Sequence, residues 1–262
     1  MPIATGLAAL GSGLAIGLIL ALVGGGGSIL AVPLLVHFVG VQSPHLAIGT
    51  AAAAVAANAL AGAVSHVRAG NVRWPCGLVF AAAGAFGAAL GAEAGKAFDG
   101  TKLLVLFGLL MIGVGASMLR KPRREPDPNP RLTRETAHHM LPRLLGAGLA
   151  VGLLAGFFGI GGGFLIVPAL MFAAGLPIHL AIGTSLLVVA ALGATTAASY
   201  ALAGLVDWPL FGMLIVGGAA GSLVGARANK WLSGKKRVLE AGFAVMVIAV
   251  GGYVAAKAGG IA

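Results

Sequence analysis

Long stretches without charge are the feature that most constrains this chain. No Asp, Glu, Lys or Arg occurs in 1–67, 74–92, 103–119, 144–206, 208–226 and 241–256. A helix needs about 20 residues to cross a hydrocarbon layer about 30 Å thick, so each stretch has room for a crossing, the shortest ones marginally. Charged residues make up 9% of the chain, against about 25% in soluble domains. The sequence therefore predicts an all-α polytopic membrane protein and excludes a soluble globule.

The net charge of +10 comes from Lys and Arg residues that cluster between the predicted spans. Seven of the 17 lie in 120–143 and five in 227–237. Basic loops beside spans are typical of the cytoplasmic side of a membrane protein, so we predict no nucleic-acid partner. The single cysteine, Cys76, excludes an intrachain disulfide and a multi-thiolate metal site. We predict no metal, no cofactor and no catalytic residue.

The chain contains one unit written twice. Residues 45–75 align without gaps on 179–209, with 16 of 31 positions identical. Upstream, the string GGGGSILAVPLL at 24–35 matches GIGGGFLIVPAL at 159–170. The sequence thus predicts a first transmembrane repeat at 1–119 and a second at 144–262, joined by a charged, Pro-rich cytoplasmic linker at 120–143.

The glycine run at 24–27 predicts a break in the first long apolar stretch, because consecutive glycines are poor helix formers. If the chain turns back there, each half is a hairpin followed by three spans, and the second half is inverted. If it runs straight, the halves are parallel and the five-cation segment 227–237 faces away from the linker. The positive-inside rule favours inversion. We therefore expect two inverted homologous repeats, each a broken-helix hairpin plus three transmembrane helices. The hairpins are predicted at 5–38 and 144–174, with returning helices at 28–38 and 163–173.

A helix that begins inside a membrane leaves its first N–H groups without partners, and its dipole makes that end positive. The natural guest is a small anion. We expect the two breaks to meet near the midplane, where the adjacent Gly-Thr motifs and one asparagine add polar groups, although the same residues also suit simple helix packing. The predicted substrate-binding residues are Gly26, Gly27, Ser28, Gly49, Thr50, Asn58, Gly161, Gly162, Gly163, Gly183, Thr184 and Ser185.

Two further groups of residues complete the prediction. His45 and His179 are paired in the repeat and could couple transport to a proton, although a helix-end histidine is more often an interfacial cap. Small residues recur at spacings of three and four at Gly84, Gly87 and Gly91, and again at 218, 221 and 225. Such faces pack helices closely, so they predict helix packing and a candidate homo-oligomer contact. The expected partners are the lipid bilayer and a small anionic substrate.

The glycine-rich segments followed by proline, together with the later stretches IGTA and IGTS, make this chain resemble the TauE/SafE family, also described as sulfite exporters. The resemblance implies a permease of the bacterial inner membrane that moves sulfite, sulfoacetate or other organosulfonates, often outward. The two half-sites differ chemically, because Ala51 aligns with Ser185 and Ser28 aligns with Gly163.

The sequence thus predicts a secondary transporter, most simply an exporter, that binds a small sulfur-containing anion and works by alternating access. An anion channel would share the dipole site and would pass single-channel currents. An intramembrane enzyme would need a nucleophile, an acid or a metal cluster at depth, and we do not expect one. A membrane subunit that needs a soluble partner is the remaining alternative.

Overall fold

The computed structural model describes residues 3–119, 134–159, 163–231 and 236–259. Within these ranges every regular element is helical. In the first half, α1 spans Ile3–Val23, a 3₁₀ helix Gly24–Leu30, α2 Ala31–Pro33, a π-helix Leu34–Val39, α3 Pro44–Arg68, α4 Trp74–Ala97 and α5 Gly100–Met118. In the second half, α6 spans Arg134–Phe158, α7 Gly163–Ala174, α8 Ile178–Leu202, α9 Trp208–Trp231 and α10 Lys236–Ala258.

The described helices have the length and surface of membrane spans. Seven of them are long and apolar enough to cross a bilayer. Large apolar side chains such as Leu7, Phe86 and Phe172 are exposed on the outside of the bundle. A lipid bilayer surrounds such an apolar surface without a free-energy penalty. Helices also satisfy their own backbone hydrogen bonds there, where no water is available. The expected class, an all-α integral membrane protein, is confirmed.

Helix starts follow ordinary capping chemistry. Ser43 accepts a hydrogen bond from the N–H of Leu46 before α3, and Asp99 accepts one from Lys102 before α5. Asp207 does the same for Leu210 in α9, at 3.0 Å. An oxygen before the first turn satisfies an N–H that the helix itself leaves free. These caps fix the helices within a few residues of the predicted spans.

Each half contains a short returning segment where the sequence predicts one. The first runs over Gly27–Val39 and the second over Gly163–Ala174, close to the expected 28–38 and 163–173. The first changes winding at Pro33, after which the chain continues as a π-helix. Proline has no N–H for the bond to residue 29, and a wider winding is one way to continue past that gap.

One boundary differs from the prediction. Helix α6 begins at Arg134, so residues 134–143 extend the helix instead of belonging to the linker. The span itself covers His138–Phe158, and Pro142 lies inside the helix. Charge in 134–143 made the segment look like solvated loop, but a helix can extend beyond the membrane into water. The remaining linker, 120–133, lies outside the described residues.

The largest helix contacts join one half to the other through glycine. Helix α1 packs on α9 where Gly17 meets the backbone of Gly218, and α6 packs on α4 where Gly152 meets Gly84. In both pairs residue numbers rise together, so the partners are parallel. A Cβ at either Gly17 or Gly152 would overlap the backbone opposite. Glycine is what permits this close approach.

The remaining cross-half contacts pair corresponding helices. Helix α3 packs against α8, with Gly62 beside Leu186 and Gly193 beside Ala56. Residue numbers rise along one helix as they fall along the other, so α3 and α8 are antiparallel. Helices α5 and α10 also cross antiparallel, since their contacts run from Gly108 with Gly251 to Gly115 with Ile248.

Candidate functional site

The duplicated Gly-Thr motifs hold loops of the opposite half. Thr50 Oγ1 accepts a hydrogen bond from the backbone N–H of Asp207 at 2.9 Å. At the equivalent place, Thr184 Oγ1 accepts one from the N–H of Arg73 at 3.0 Å. Both threonines are fully buried. We call these two bonds the threonine latches; they fix the loops before α9 and α4.

The glycine before each threonine completes the contact. Gly49 lies against the carbonyl of Leu205, and Gly183 lies against the carbonyl of Asn71. Both loops turn at a glycine with positive φ, Gly204 and Gly70. A side chain at 49 or 183 would overlap the loop backbone, so this packing alone requires glycine at both positions. A role for Gly49, Thr50, Gly183 and Thr184 in binding substrate stays a prediction.

The first glycine string is wound as a 3₁₀ helix. Gly26, Gly27 and Ser28 lie within Gly24–Leu30, where N–H groups bond to carbonyls three residues earlier. Gly27 packs back onto the backbone of Leu20, which shows that the chain reverses here. Ser28 is completely buried. These amides can serve an anion only if the 3₁₀ turn opens.

The second string leaves a helix start inside the protein. Helix α6 ends at Phe158, and the next residue, Gly159, has a φ of 66° and a tight contact with Ile48, which exclude a side chain. Gly161 and Gly162 lie outside the described residues. Gly163 is buried and is the first residue of α7. The first N–H groups of α7 have no acceptor within the helix.

The two glycine turns lie towards opposite ends of the bundle, as contacts with α9 show. The end of α1 lies beside Gly225, near the C-terminal end of α9. Gly159 lies on Ile48, two residues from Thr50, which is latched to Asp207 just before α9 begins. Helix α9 has 24 residues, about 36 Å at 1.5 Å per residue. The segments that follow the two turns nevertheless meet, because the 3₁₀ helix Gly24–Leu30 packs against α7. Whether the two strings share one guest stays a prediction.

Asn58 is the predicted site residue that lies about halfway along the bundle. Only 4% of it is exposed, and its amide packs on Gly218, where Gly17 also meets α9. Its Nδ2 has no hydrogen-bond partner among the described residues. The equivalent position in the second half is Leu192, which packs on Gly84. A buried donor without a partner is costly in free energy, so this amide nitrogen is a candidate ligand contact.

Two other buried hydroxyls lie in the first and second halves. Ser12 of α1 is 1% exposed, and its Oγ has no partner among the described residues. The sequence analysis did not select Ser12. Its aligned residue in the second half is Ala147, so the hydroxyl occurs in one half only. Ser185 is fully buried and donates to the carbonyl of Ile182 at 2.8 Å. Ser185 is therefore engaged within its own helix.

The paired histidines lie at opposite ends of the bundle. His45 is the second residue of α3 and is half-buried, with its Nδ1 unpartnered among the described residues. His179 is the second residue of α8 and is exposed. Because α3 and α8 are antiparallel, the two rings do not meet. A proton-coupling role for either stays a prediction.

A groove of about 540 Å³ opens between α3 and α8, but its chemistry is wrong for an anion. Its walls include Ala53, Ala57, Ala190 and Phe211 and are almost wholly apolar. It offers no hydrogen-bond donor to a charged ligand, and transferring an anion there would be costly. We therefore do not place the predicted anion site in this groove.

The glycine-rich faces are used within one chain. Gly84, Gly87 and Gly91 of α4 lie against α6, while the matching glycines of α9 lie against α1. Any homo-oligomer contact through these faces would compete with that packing. A homo-oligomer contact stays a prediction.

Comparison with known proteins agrees with this architecture. The family model described as "Sulfite exporter TauE/SafE" matches residues 9–254. A protein of Xylella fastidiosa (strain 9a5c), called "Probable membrane transporter protein", is 45% identical over 254 residues, covering 97% of this chain and 96% of the relative.

A more distant relative is "Probable membrane transporter protein YunE" of Bacillus subtilis (strain 168). It is 30% identical over 245 residues, covering 87% of this chain and 89% of the relative. No solved structure matches. The match over nearly the whole chain and the helical bundle together establish that this chain belongs to the TauE/SafE family of membrane transporters.

Proposed function

We propose that this protein is a secondary transporter that exports a small sulfur-containing anion, such as sulfite, sulfoacetate or another organosulfonate. The observation that carries the proposal is Asn58, a buried amide at mid-depth whose Nδ2 has no partner among the described residues. An amide nitrogen offers two N–H donors, which suit the oxygens of an oxyanion. In our proposal Asn58 binds the anion halfway across the membrane.

The surroundings of Asn58 favour an anion over a cation. The acids with described side chains, Glu93, Asp99 and Asp207, all lie near helix ends. Cation pathways and proton relays normally place carboxylates within the membrane. The Asn58 amide lies directly against Gly218, so no side chain stands between it and the backbone of α9.

Alternating access is supported by the relation between the halves. Corresponding helices α3 and α8 are antiparallel, as are α5 and α10, which is the arrangement that two inverted repeats produce. We infer that each half opens one mouth in turn, with a threonine latch at each end. In this scheme Gly26, Gly27 and Ser28 contact the anion when their 3₁₀ turn opens, as do the amides from Gly161 to Gly163. His45 and His179 remain our candidates for proton coupling.

The orientation follows from charge. Among the basic residues in the described ranges, only Lys96, Lys102 and Lys257 lie on the side away from Arg73; the others belong to helix ends on the Arg73 side, where α5 ends and α6 begins on either side of the charged linker. Basic segments are retained on the cytoplasmic side. We therefore assign the Arg73 end, with the linker, to the cytoplasm and the Asp207 end to the outside.

The test is replacement of Asn58 by leucine, the residue that the second half uses at the equivalent position. Uptake of sulfite, sulfoacetate, taurine, sulfate and thiosulfate into proteoliposomes would identify the anion carried by the wild type. Asn58→Leu should lower its uptake about tenfold or more, since hydrogen bonds to charged groups contribute about 1.5–3 kcal/mol. The melting temperature should stay the same or rise, because a buried unpaired amide is removed.

Ser65→Ala is the matched control, since Ser65 is an exposed polar residue of the same helix. It should transport like the wild type. Unchanged uptake by Asn58→Leu would remove Asn58 from the site, and a folded wild type that moves none of the five anions would exclude these anions as substrates. Single-channel currents across a planar bilayer would favour a channel instead.

A further inference from the structure

Arg73 and Asp207 occupy equivalent positions in the two halves and carry opposite charges. Each directly precedes the Trp-Pro pair that begins a helix, α4 or α9. Each backbone N–H is held by a threonine latch, at 3.0 Å for Arg73 and 2.9 Å for Asp207. The latches lie at opposite ends of the antiparallel pair α3 and α8. The same backbone geometry therefore places a cation at one end of the bundle and a carboxylate at the other.

The two side chains differ in what they do locally. Asp207 Oδ1 accepts the N–H of Leu210 at 3.0 Å and so caps α9. Arg73 makes no capping bond with α4. Its Nε is buried and has no hydrogen-bond partner within the described part of the chain. Arginine cannot lose its proton in a protein, so Arg73 keeps a positive charge with an unused donor.

Carboxylates that could neutralise Arg73 lie elsewhere among the described side chains. Glu93 accepts hydrogen bonds from Lys96 and Ser199, both at 2.8 Å, at the far ends of α4 and α8. Asp99 is occupied in capping α5. The described ion pair, Lys96 with Glu93, is also at the end opposite Arg73. Arg73 thus lies at its end of the bundle without a counter-charge among the described side chains.

We propose that Arg73 receives the anion at the cytoplasmic entrance, while Asp207 at the equivalent outer position opposes its return. The inference rests on the proposed function for the identity of the anion and for the assignment of sides. A guanidinium binds an oxyanion through two parallel N–H bonds. A carboxylate at the other mouth lowers the local concentration of anions by repulsion. The opposite charges make two structurally equivalent mouths unequal for an anion.

Two tryptophans allow the charge at each mouth to be measured without knowing the substrate. Trp74 follows Arg73 and is 46% exposed, and Trp208 follows Asp207 and is 59% exposed. In full-length protein, Trp208→Phe with Trp231→Phe leaves Trp74 as the sole reporter. Trp74→Phe with Trp231→Phe leaves Trp208. Quenching by iodide then reports the local anion concentration, and quenching by neutral acrylamide reports exposure alone.

In these backgrounds Arg73→Gln should lower iodide quenching of Trp74 about threefold, the Coulomb factor for one unit charge about 7 Å away in water. Asp207→Asn keeps a capping oxygen and should raise iodide quenching of Trp208 by a similar factor. Acrylamide quenching should not change. Arg227→Gln, an exposed charge on α9 at the same end as Arg73, is the control and should leave both reporters unaltered. Equal iodide quenching before and after Arg73→Gln would overturn the proposal.

Transport measured from each face of the membrane tests whether these charges change the affinity for the anion. Initial sulfite rates are compared in inside-out and right-side-out membrane vesicles. Arg73→Gln should raise the half-saturating sulfite concentration about fivefold at the cytoplasmic face only, the factor for a unit-charge contact near 4 Å in water. Asp207→Asn should lower it at the outer face.

These two measurements separate the inference from the function on which it rests. An unchanged half-saturating concentration at the cytoplasmic face of Arg73→Gln would refute Arg73 as the entrance. If the wild type carries none of the sulfur anions but the iodide difference persists, the proposed function fails and the charge difference between the mouths is upheld.

Discussion

Thr50 and Thr184 stand at equivalent positions and make equivalent bonds, whereas Asn58 and Leu192 stand at equivalent positions and differ in chemistry. The threonines each hold a loop of the opposite half. Asn58 and Leu192 each pack on a glycine, Gly218 and Gly84, but Asn58 presents an amide nitrogen with no partner among the described residues and Leu192 presents a methyl group. These shared residues hold the bundle together, whereas Asn58, at a position where the halves differ, is our proposed ligand contact.

The glycines support the same distinction. Gly17 with Gly218 and Gly152 with Gly84 make matching contacts in α1/α9 and α6/α4. Their duplication follows from packing, because both pairs need backbones in direct contact. These duplicated contacts therefore need no ligand to explain them.

The largest effect is expected where the shared packing is broken. Gly17→Leu and Gly152→Leu should each reduce the yield of monodisperse protein about tenfold, because a side chain there overlaps the backbone of the partner helix. Fluorescence-detected size-exclusion chromatography measures the yield. Gly11→Leu and Gly146→Leu are matched controls with open space around the Cβ position, and they should behave like the wild type. Loss in only one of the two helix pairs would show that the halves are not packed alike.

A smaller and again paired effect is expected at the threonine latches. Thr50→Val and Thr184→Val should each lower the free energy of unfolding by about 1–3 kcal/mol, because a buried loop N–H loses its acceptor. Hydrogen exchange should accelerate at the amide of Asp207 in the first variant and at that of Arg73 in the second. Thr195→Val, whose hydroxyl bonds only to Ala191 of its own helix, should leave both amides protected. Exchange that stays slow in both latch variants would contradict the latch.

The smallest effect is expected at a contact that exists in one half only. Glu93 binds Lys96 and Ser199, but the aligned residues of the second half are Arg227, Lys230 and Ser65, so no equivalent ion pair can form. Glu93 is mostly exposed, and pairs of that kind add little to stability. Glu93→Gln should shift the melting temperature by less than about 2 °C in a thermal-shift assay. A shift of 5 °C or more would mean that the pair holds α4 to α8.

The spans could be predicted because apolar length and charge act locally. The returning helices near 28–38 and 163–173 follow from the glycine strings and the apolar runs after them. The latches could not be predicted, since the N–H groups that Thr50 and Thr184 accept belong to loops of the other half. The same holds for the depth of the glycine turns, which depends on how α1 and α6 pack.

Pairing α1 with α9 has a consequence for how the protein is made. During translation Gly17 reaches the membrane before Gly218 has been synthesised. Until then the glycine face of α1 that packs on α9 is exposed to lipid. The second half is therefore needed to complete the first, and a nascent chain released early would offer bare glycine faces to quality-control proteases. Gene splitting between the halves should succeed only if both products are synthesised together.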